Sequence, residues 1–209
     1  MRRRLILAAA CLALPVFVHA DDKSAADAGW VSLFDGKTLD GWESYDRKGP
    51  VEVSKNWKVE DGMIHGSGDV AHLFSPRGDY KNFKYKADFK IADKANSGQY
   101  FRTKKMPGYP DGYEAQINST HTDPVKTGSI YNRVLIKKML VPADTWFTQE
   151  VEAVGNHITM KVNGETLYEY VDTTGNSFSE GYFAFQQHDP KSEVWIKNVM
   201  VMELPAKTK

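Results

Sequence analysis

Side chains that alternate apolar and polar at every step can cover one face of a strand but never the stripe a helix needs, and this alternation recurs along almost the whole chain. In residues 83–91, Phe83, Tyr85, Ala87, Phe89 and Ile91 fall on one side while Lys84, Lys86, Asp88 and Lys90 fall on the other, the pattern of a half-buried antiparallel strand. Residues 157–171 hold two β-rich runs around Asn163-Gly164, a pair whose tolerance of positive φ makes a two-residue hairpin. Further strand-like runs are 56–60, 63–67, 70–74, 99–102, 112–117, 128–132, 147–154, 181–188 and 193–204, separated by turns such as Asp61-Gly62 and Pro107-Gly108. With no helical rhythm and no internal repeat, the chain is expected to be all-β, a two-sheet antiparallel sandwich. The stretches 103–112 and 118–128 read as rim loops, where binding sites are commonly built.

Arginines at positions 2–4, an apolar run from Leu5 to Val18 and a small residue at Ala20 follow the order of a secretory signal. Cleavage after Ala20 and a periplasmic or secreted protein are therefore expected, with residues 21–29 a loose leader and 30–205 one sandwich domain. The one cysteine, Cys11, lies in the signal; its acylation would make a lipoprotein, but the apolar run before it is short for that. The expected mature chain has no thiol for disulfides or metal. Residues 1–20 hold three arginines and no acid, so their removal leaves 24 basic against 27 acidic residues. That balance marks neither a nucleic-acid partner nor an anionic membrane. No later apolar run is long enough to span a bilayer.

Alternation also lines up polar groups. Gly98, Tyr100 and Arg102 share one face of their run; Glu114, Gln116 and Asn118 share another, and Tyr182, Ala184, Gln186 and His188 a third. A solvated sheet face is the plain explanation. Yet these residues are rich in planar donors and acceptors with aromatics among them, the groups that hold sugars. An ordinary glycosidase needs two carboxyl groups across the bond it cuts. Here the strand offers Glu114 followed by two amides, so a two-carboxylate mechanism is not expected, whereas one carboxylate can act as a general base toward an acidic proton.

Eight segments in order, WVSLFDGKTLDGW (30–42), WKVEDGMI (57–64), NSGQYFR (96–102), GYEAQI (112–117), TGSIYN (127–132), VNGE (162–165), FAFQQHD (183–189) and WIKNVMV (195–201), resemble the 3-keto-disaccharide hydrolase family. The resemblance implies a concanavalin-like jelly-roll sandwich that cleaves glycosides oxidised to a ketone at C3. The ketone acidifies the C2 proton, so a base can remove it, the C1 substituent departs, and water adds to the enone. On that scheme Glu114 is the base or orients it, Arg102 or a neighbouring donor holds the enolate oxygen, and His188 is the candidate acid for the leaving oxygen. Tyr100, Gln116, Asn118, Gln186 and His121 would then bind substrate. A functional link to a sugar 3-dehydrogenase, which makes the ketone, follows from that substrate. Many relatives carry aspartate at Asn118 and arginine at Lys197.

Other readings stay open. A divalent cation such as calcium could sit on His121 and Asp123 with Glu114, although no ligand set is established by spacing. The same concave sheet also serves non-catalytic carbohydrate-binding proteins, and fold alone does not separate the two. His72 reads as a surface or satisfied core histidine. Trp57, Trp146 and Trp195 read as core aromatics, and Asn198 as a buried, hydrogen-bonded residue sharing a face with Ile196 and Met200.

Overall fold

Strand β7 (Phe83–Ile91) alternates as expected, all five of its apolar residues buried and all four polar ones half-buried. In the computed structural model, which describes residues 28–205, it stands in the middle of the larger of two sheets. The signal, Cys11 and most of the leader lie outside the described residues. The larger sheet runs β12 (Glu165–Val171), β11 (His157–Val162), β10 (Phe147–Val154), β7, β14 (Val194–Glu203), β5 (Met63–Gly66), β4 (Trp57–Glu60), and β1 (Val31–Ser32) also pairs with β14. The smaller sheet runs β3 (Pro50–Val51), β2 (Glu43–Asp46), β6 (Ala71–Phe74), β13 (Tyr182–Gln187), β8 (Ser97–Thr103), β9 (Tyr113–Ile117). Every named strand pairing is antiparallel. The one helical element among the described residues is a 3-10 turn at Val53–Lys55. No described helix is long and apolar enough to cross a membrane.

The two inner faces meet in an aromatic layer. Tyr85 stacks on Phe183 with ring centroids 3.9 Å apart, Phe89 meets Phe185 edge-on, and Phe101 stacks on Tyr113. Interleaved rings of this kind contribute large buried areas to the core, with Ile64, Leu73, Ile91, Val151 and Ile196 filling between them. The hairpin of β11 and β12 turns on Asn163 (φ 51°) and Gly164 (φ 81°), as the Asn-Gly pair predicts.

Three local expectations fail for identifiable reasons. Residues 128–132 are not a strand: Ile130 bridges both Ala115 and Val134, so the chain doubles back through Asn132 at φ 58°. Asn198 is exposed, because β14 bulges between Lys197 and Met200 and Asn198 adopts φ 51°; its amide donates to Asp88 Oδ2 at 2.6 Å. Trp57 is buried, but Trp146 and Trp195 are half-buried on the outer face, with Lys90 over both rings.

Candidate active site

The site lies on the outer face of the smaller sheet, where three strands bring their polar residues into register. Tyr100 stands opposite Glu114, Gly98 opposite Gln116, and Ala184 opposite Tyr100 on the other flank. Period 2 sends Phe101, Tyr113, Ala115, Ile117, Phe183 and Phe185 into the core, which leaves Glu114, Gln116 and Gln186 to face outward. They form the floor of a pocket of ≈ 530 Å³ that Asn96, Tyr100 and His188 also line. That is a size suited to a small organic ligand.

Two loops raise the walls. Residues 104–111 fold back over the sheet, pinned by Lys105 Nζ to Glu43 Oε1 (2.6 Å) and by the Gly108 N–H to the Asp46 carbonyl (3.0 Å). This places Tyr109 edge-on to His72 and within 6.4 Å of the His188 ring. The turn after Gly128 is sewn to β9: the Gln116 N–H donates to the Ser129 carbonyl and the Tyr131 N–H to that of Glu114. Tyr131 and Arg133 thereby reach the pocket. Tyr109, Arg133 and Asn96 did not stand out from strand pattern because they lie in loops, and Tyr131 fell in the 128–132 run expected to be a strand; for Tyr109, an aromatic in a long loop beside a polar strand face was the available signal.

Glu114 is the chemically poised group. Burial raises its carboxyl pKa to about 8; the Tyr100 hydroxyl beside it works against the rise and the charge of Asp123 with it. Tyr100 is itself buried and accepts from Gln186 Nε2 at 3.0 Å. Beside Tyr100, His72 of β6 is fully buried, and burial, aided by the charge of His188, lowers its pKa to about 3, so it is a neutral buried residue rather than a surface one. Gln116 Nε2 donates to Asn96 Oδ1 at 2.7 Å, which leaves Gln116 Oε1 and Gln186 Oε1 as acceptors with no partner among the described residues. Buried acceptors of this sort suit hydroxyl groups of a ligand.

Gly98 makes room for this arrangement. A Cβ there would lie 2.5 Å from Glu114 Oε1 and 2.9 Å from the Tyr100 ring. Gly98→Ala is accordingly expected to displace the carboxyl and lower kcat/KM on the order of 100-fold, at a stability cost of about 1–3 kcal/mol. Steady-state kinetics beside a thermal melt checks this; equal losses in both would show a folding defect instead.

His188 carries a partner of its own. Its Nδ1 lies 2.9 Å from Asp189 Oδ2, and the His121 ring is 5.4 Å away. Donor atoms of His121, His188 and Asp189 all fall within 4.8 Å of one another, the spacing of a metal-ligand set. Two imidazoles with a carboxylate suit a transition ion such as zinc better than calcium, which takes oxygen ligands. The set expected from sequence is not assembled: Asp123 Oδ1 accepts from the Val125 N–H at 2.8 Å, and Glu114 lies in the floor.

Two expected members are elsewhere. Arg102 takes φ 50° where the pairing of β8 with β13 shifts register, and this turns its side chain away from Tyr100's face. Its guanidinium is buried and donates to the carbonyls of Lys81, Gly155 and Phe178. Asn118 follows the last residue of β9, so strand alternation no longer governs it. It is fully buried under the 118–128 loop, donating from Nδ2 to the carbonyls of Asp123 (3.0 Å) and Val125 (2.8 Å) while Oδ1 accepts from the His121 N–H. An aspartate cannot donate these bonds, so here the amide is a loop staple.

A family model described as a 3-keto-alpha-glucoside-1,2-lyase-like domain matches residues 29–202. The chain belongs to this family. Within it, the lyase-like domain is 23% identical to a 3-keto-disaccharide hydrolase of Bacteroides thetaiotaomicron, over 84% of this chain and 79% of that one. A crystal structure of a candidate glycosyl hydrolase from Parabacteroides distasonis superposes with TM-score 0.74 at 26% identity, covering 90% of this chain and 99% of that one. The carbohydrate-binding module CBM66 of Bacillus subtilis shares the fold alone, with TM-score 0.60 at 17% identity, covering 83% of this chain and 100% of the module. The sandwich is thus a jelly roll of the lectin and glycosidase type.

Proposed function

We propose that the protein cleaves glycosides whose sugar carries a ketone at C3, and that it does so by elimination. The observation that carries this is Glu114, a carboxyl of the pocket floor whose pKa burial raises to about 8 and which stands beside the Gln116 and Gln186 amides. In the proposed reaction Glu114 as carboxylate takes the C2 proton. The C–H electrons form the enolate, the C1–O bond breaks as C1=C2 forms, and the leaving oxygen accepts a proton from His188. Water then adds across the enone to give the free 3-keto sugar. With Arg102 out of the pocket, the enolate oxygen falls to a donor of the pocket lining, for which the Asn96 amide is our candidate, joined by the Tyr100 hydroxyl once Glu114 has taken the proton.

His121, His188 and Asp189 would hold a transition ion if one binds; such an ion would supply Lewis-acid polarisation of a substrate oxygen in place of the proton from His188. The names of the relatives support the substrate class, and the N-terminal pattern supports a periplasmic or secreted setting where a sugar 3-dehydrogenase would supply the ketone.

The test is release of aglycone from a 3-keto-glucoside and from the unoxidised glucoside, each with and without chelator. Turnover of the keto substrate alone is expected, because only its C2 proton is acidic. Equal turnover of both would mean ordinary hydrolysis, while binding without turnover would make the protein a lectin-like module.

A further inference from the structure

Tyr109 lines the pocket and yet is 52% exposed, although its loop is tied down on every side. The base of residues 104–111 is closed by the Lys104 N–H, which donates to the Asp111 carbonyl at 2.9 Å, and the Thr103 hydroxyl donates to the same carbonyl at 2.7 Å. At the tip Gly108 takes φ 78° and donates its N–H to the Asp46 carbonyl, while Pro110 is buried. Tyr109 stands between these two fixed points. Its ring meets His72 edge-on with centroids 6.0 Å apart and has the His188 ring at 6.4 Å, and its hydroxyl makes no hydrogen bond among the described residues. A rigid aromatic held in place with half its surface uncovered is the kind of anchor binding sites use, because little entropy is lost when a ligand covers it.

We propose that Tyr109 is a specificity residue that stacks against a ring in the leaving group of the substrate, either an aryl ring or the C–H face of a second sugar. This inference rests on the elimination reading, in which the leaving oxygen takes its proton from His188. That proton transfer puts the oxygen about 3 Å from an imidazole nitrogen. The group attached to the oxygen begins one bond further out, within the 6.4 Å that separates the His188 and Tyr109 rings. Charge narrows the chemistry further. Asp111 and Asp123 line the same pocket and disfavour an anion, and the nearby Lys105 is committed to Glu43 at 2.6 Å, so the contact left to Tyr109 is that of one ring face on another.

Benzyl and methyl 3-keto-glucosides, whose leaving alcohols are alike in acidity, test it together with a 3-keto-disaccharide. Tyr109→Leu keeps an apolar side chain but no ring, and is expected to lower the benzyl-to-methyl ratio of kcat/KM, the disaccharide-to-methyl ratio or both by about 2- to 10-fold, the worth of a ring pair beyond its buried area. Whichever ratio falls names the source of the ring. Tyr109→Phe should keep both ratios, since the stacking face is retained. Two ratios unchanged in Tyr109→Leu overturn the proposal, and if all three rates fall together Tyr109 is only a cover for His72. Calorimetric binding of the three compounds to Glu114→Gln, with and without Tyr109→Leu, keeps the two readings apart. If no compound is turned over the elimination reading fails, while a ring preference in binding that Tyr109→Leu removes, or leaves in place, still decides whether Tyr109 stacks.

Discussion

Glu114→Gln is expected to lower kcat on a 3-keto-glucoside by about 10²–10⁴-fold, the usual worth of a positioned general base, with KM little changed. Glutamine keeps the shape of the side chain and its hydrogen-bonding reach to Tyr100, so binding survives while the group that accepts the proton does not. The wild-type pH profile should carry the same signature. With a folded pKa of about 8, the active carboxylate is the minor form at neutrality, so kcat/KM should carry a limb that rises with pH as Glu114 ionises, opposed at higher pH by loss of the proton that His188 must donate. A profile that falls through the same range would reverse the assignment: Glu114 would be the proton donor, and the base would have to be His188.

The same group makes a linked prediction about stability. Its folded pKa is raised from the ordinary 4.5 to about 8, so the folded state holds the proton more tightly than the unfolded chain does. The contribution is fully present below pH 4.5 and is lost as pH rises through 8. Glu114→Gln carries no such proton, so its melting temperature should draw ahead of the wild type between pH 4.5 and 8 and keep a constant lead above that. The lead is expected to be about 1–3 kcal/mol, less than the whole shift implies because the carboxyl opens onto water in the pocket. Thermal melts across that range read it directly; parallel curves would mean the carboxyl is solvated and not poised.

How far this site can be read from the chain follows from what alternation encodes. Period 2 states which side chains share a face, and it correctly separates Glu114 and Gln116 from Tyr113, Ala115 and Ile117, and Gln186 from Phe185. It fails where a strand departs from its pleat. Arg102 and Asn198 both sit at positive φ beside register shifts; nothing in an arginine announces that backbone, and an asparagine inside an alternating run only permits it. Asn118 is misplaced for a simpler reason, since β9 ends one residue before it. Strand order is also invisible to pattern, so the meeting of β8, β13 and β9 over one pocket emerges only from the fold. Rim residues such as Tyr109 and Arg133 belong to loops whose course is set by contacts far along the chain, including Lys105 to Glu43.

Arg102→Met should be among the most destabilising single changes in this protein, and it should leave the chemistry nearly untouched. The guanidinium is 1% exposed and has no carboxylate against it; its partners are three backbone carbonyls, at Lys81 (2.9 Å from Nε), Gly155 (2.6 Å from Nη1) and Phe178 (3.0 Å from Nη1). These carbonyls belong to three separate connections, two of which also meet in the Tyr80–Gly181 bridge, so one side chain ties all three together. Methionine fills much of the volume but donates nothing, and each carbonyl left without a partner costs about 1–3 kcal/mol. The sum is expected to be about 3–5 kcal/mol, the range seen when a buried charged hub is broken, or a fall in Tm on the order of 10 °C for a chain of this length. Arg102→Lys should recover less than half, because one ammonium cannot span three acceptors held in a fork. Measured well below the transition, kcat on the keto substrate should stay within a few-fold of wild type, with any rise in KM arising from Phe178, which lines the pocket. A folded Arg102→Met protein of normal stability that has lost its turnover would place Arg102 back in the chemistry. The geometry argues otherwise, since three of its nitrogens already donate to main chain and φ 50° aims the side chain away from Glu114's face.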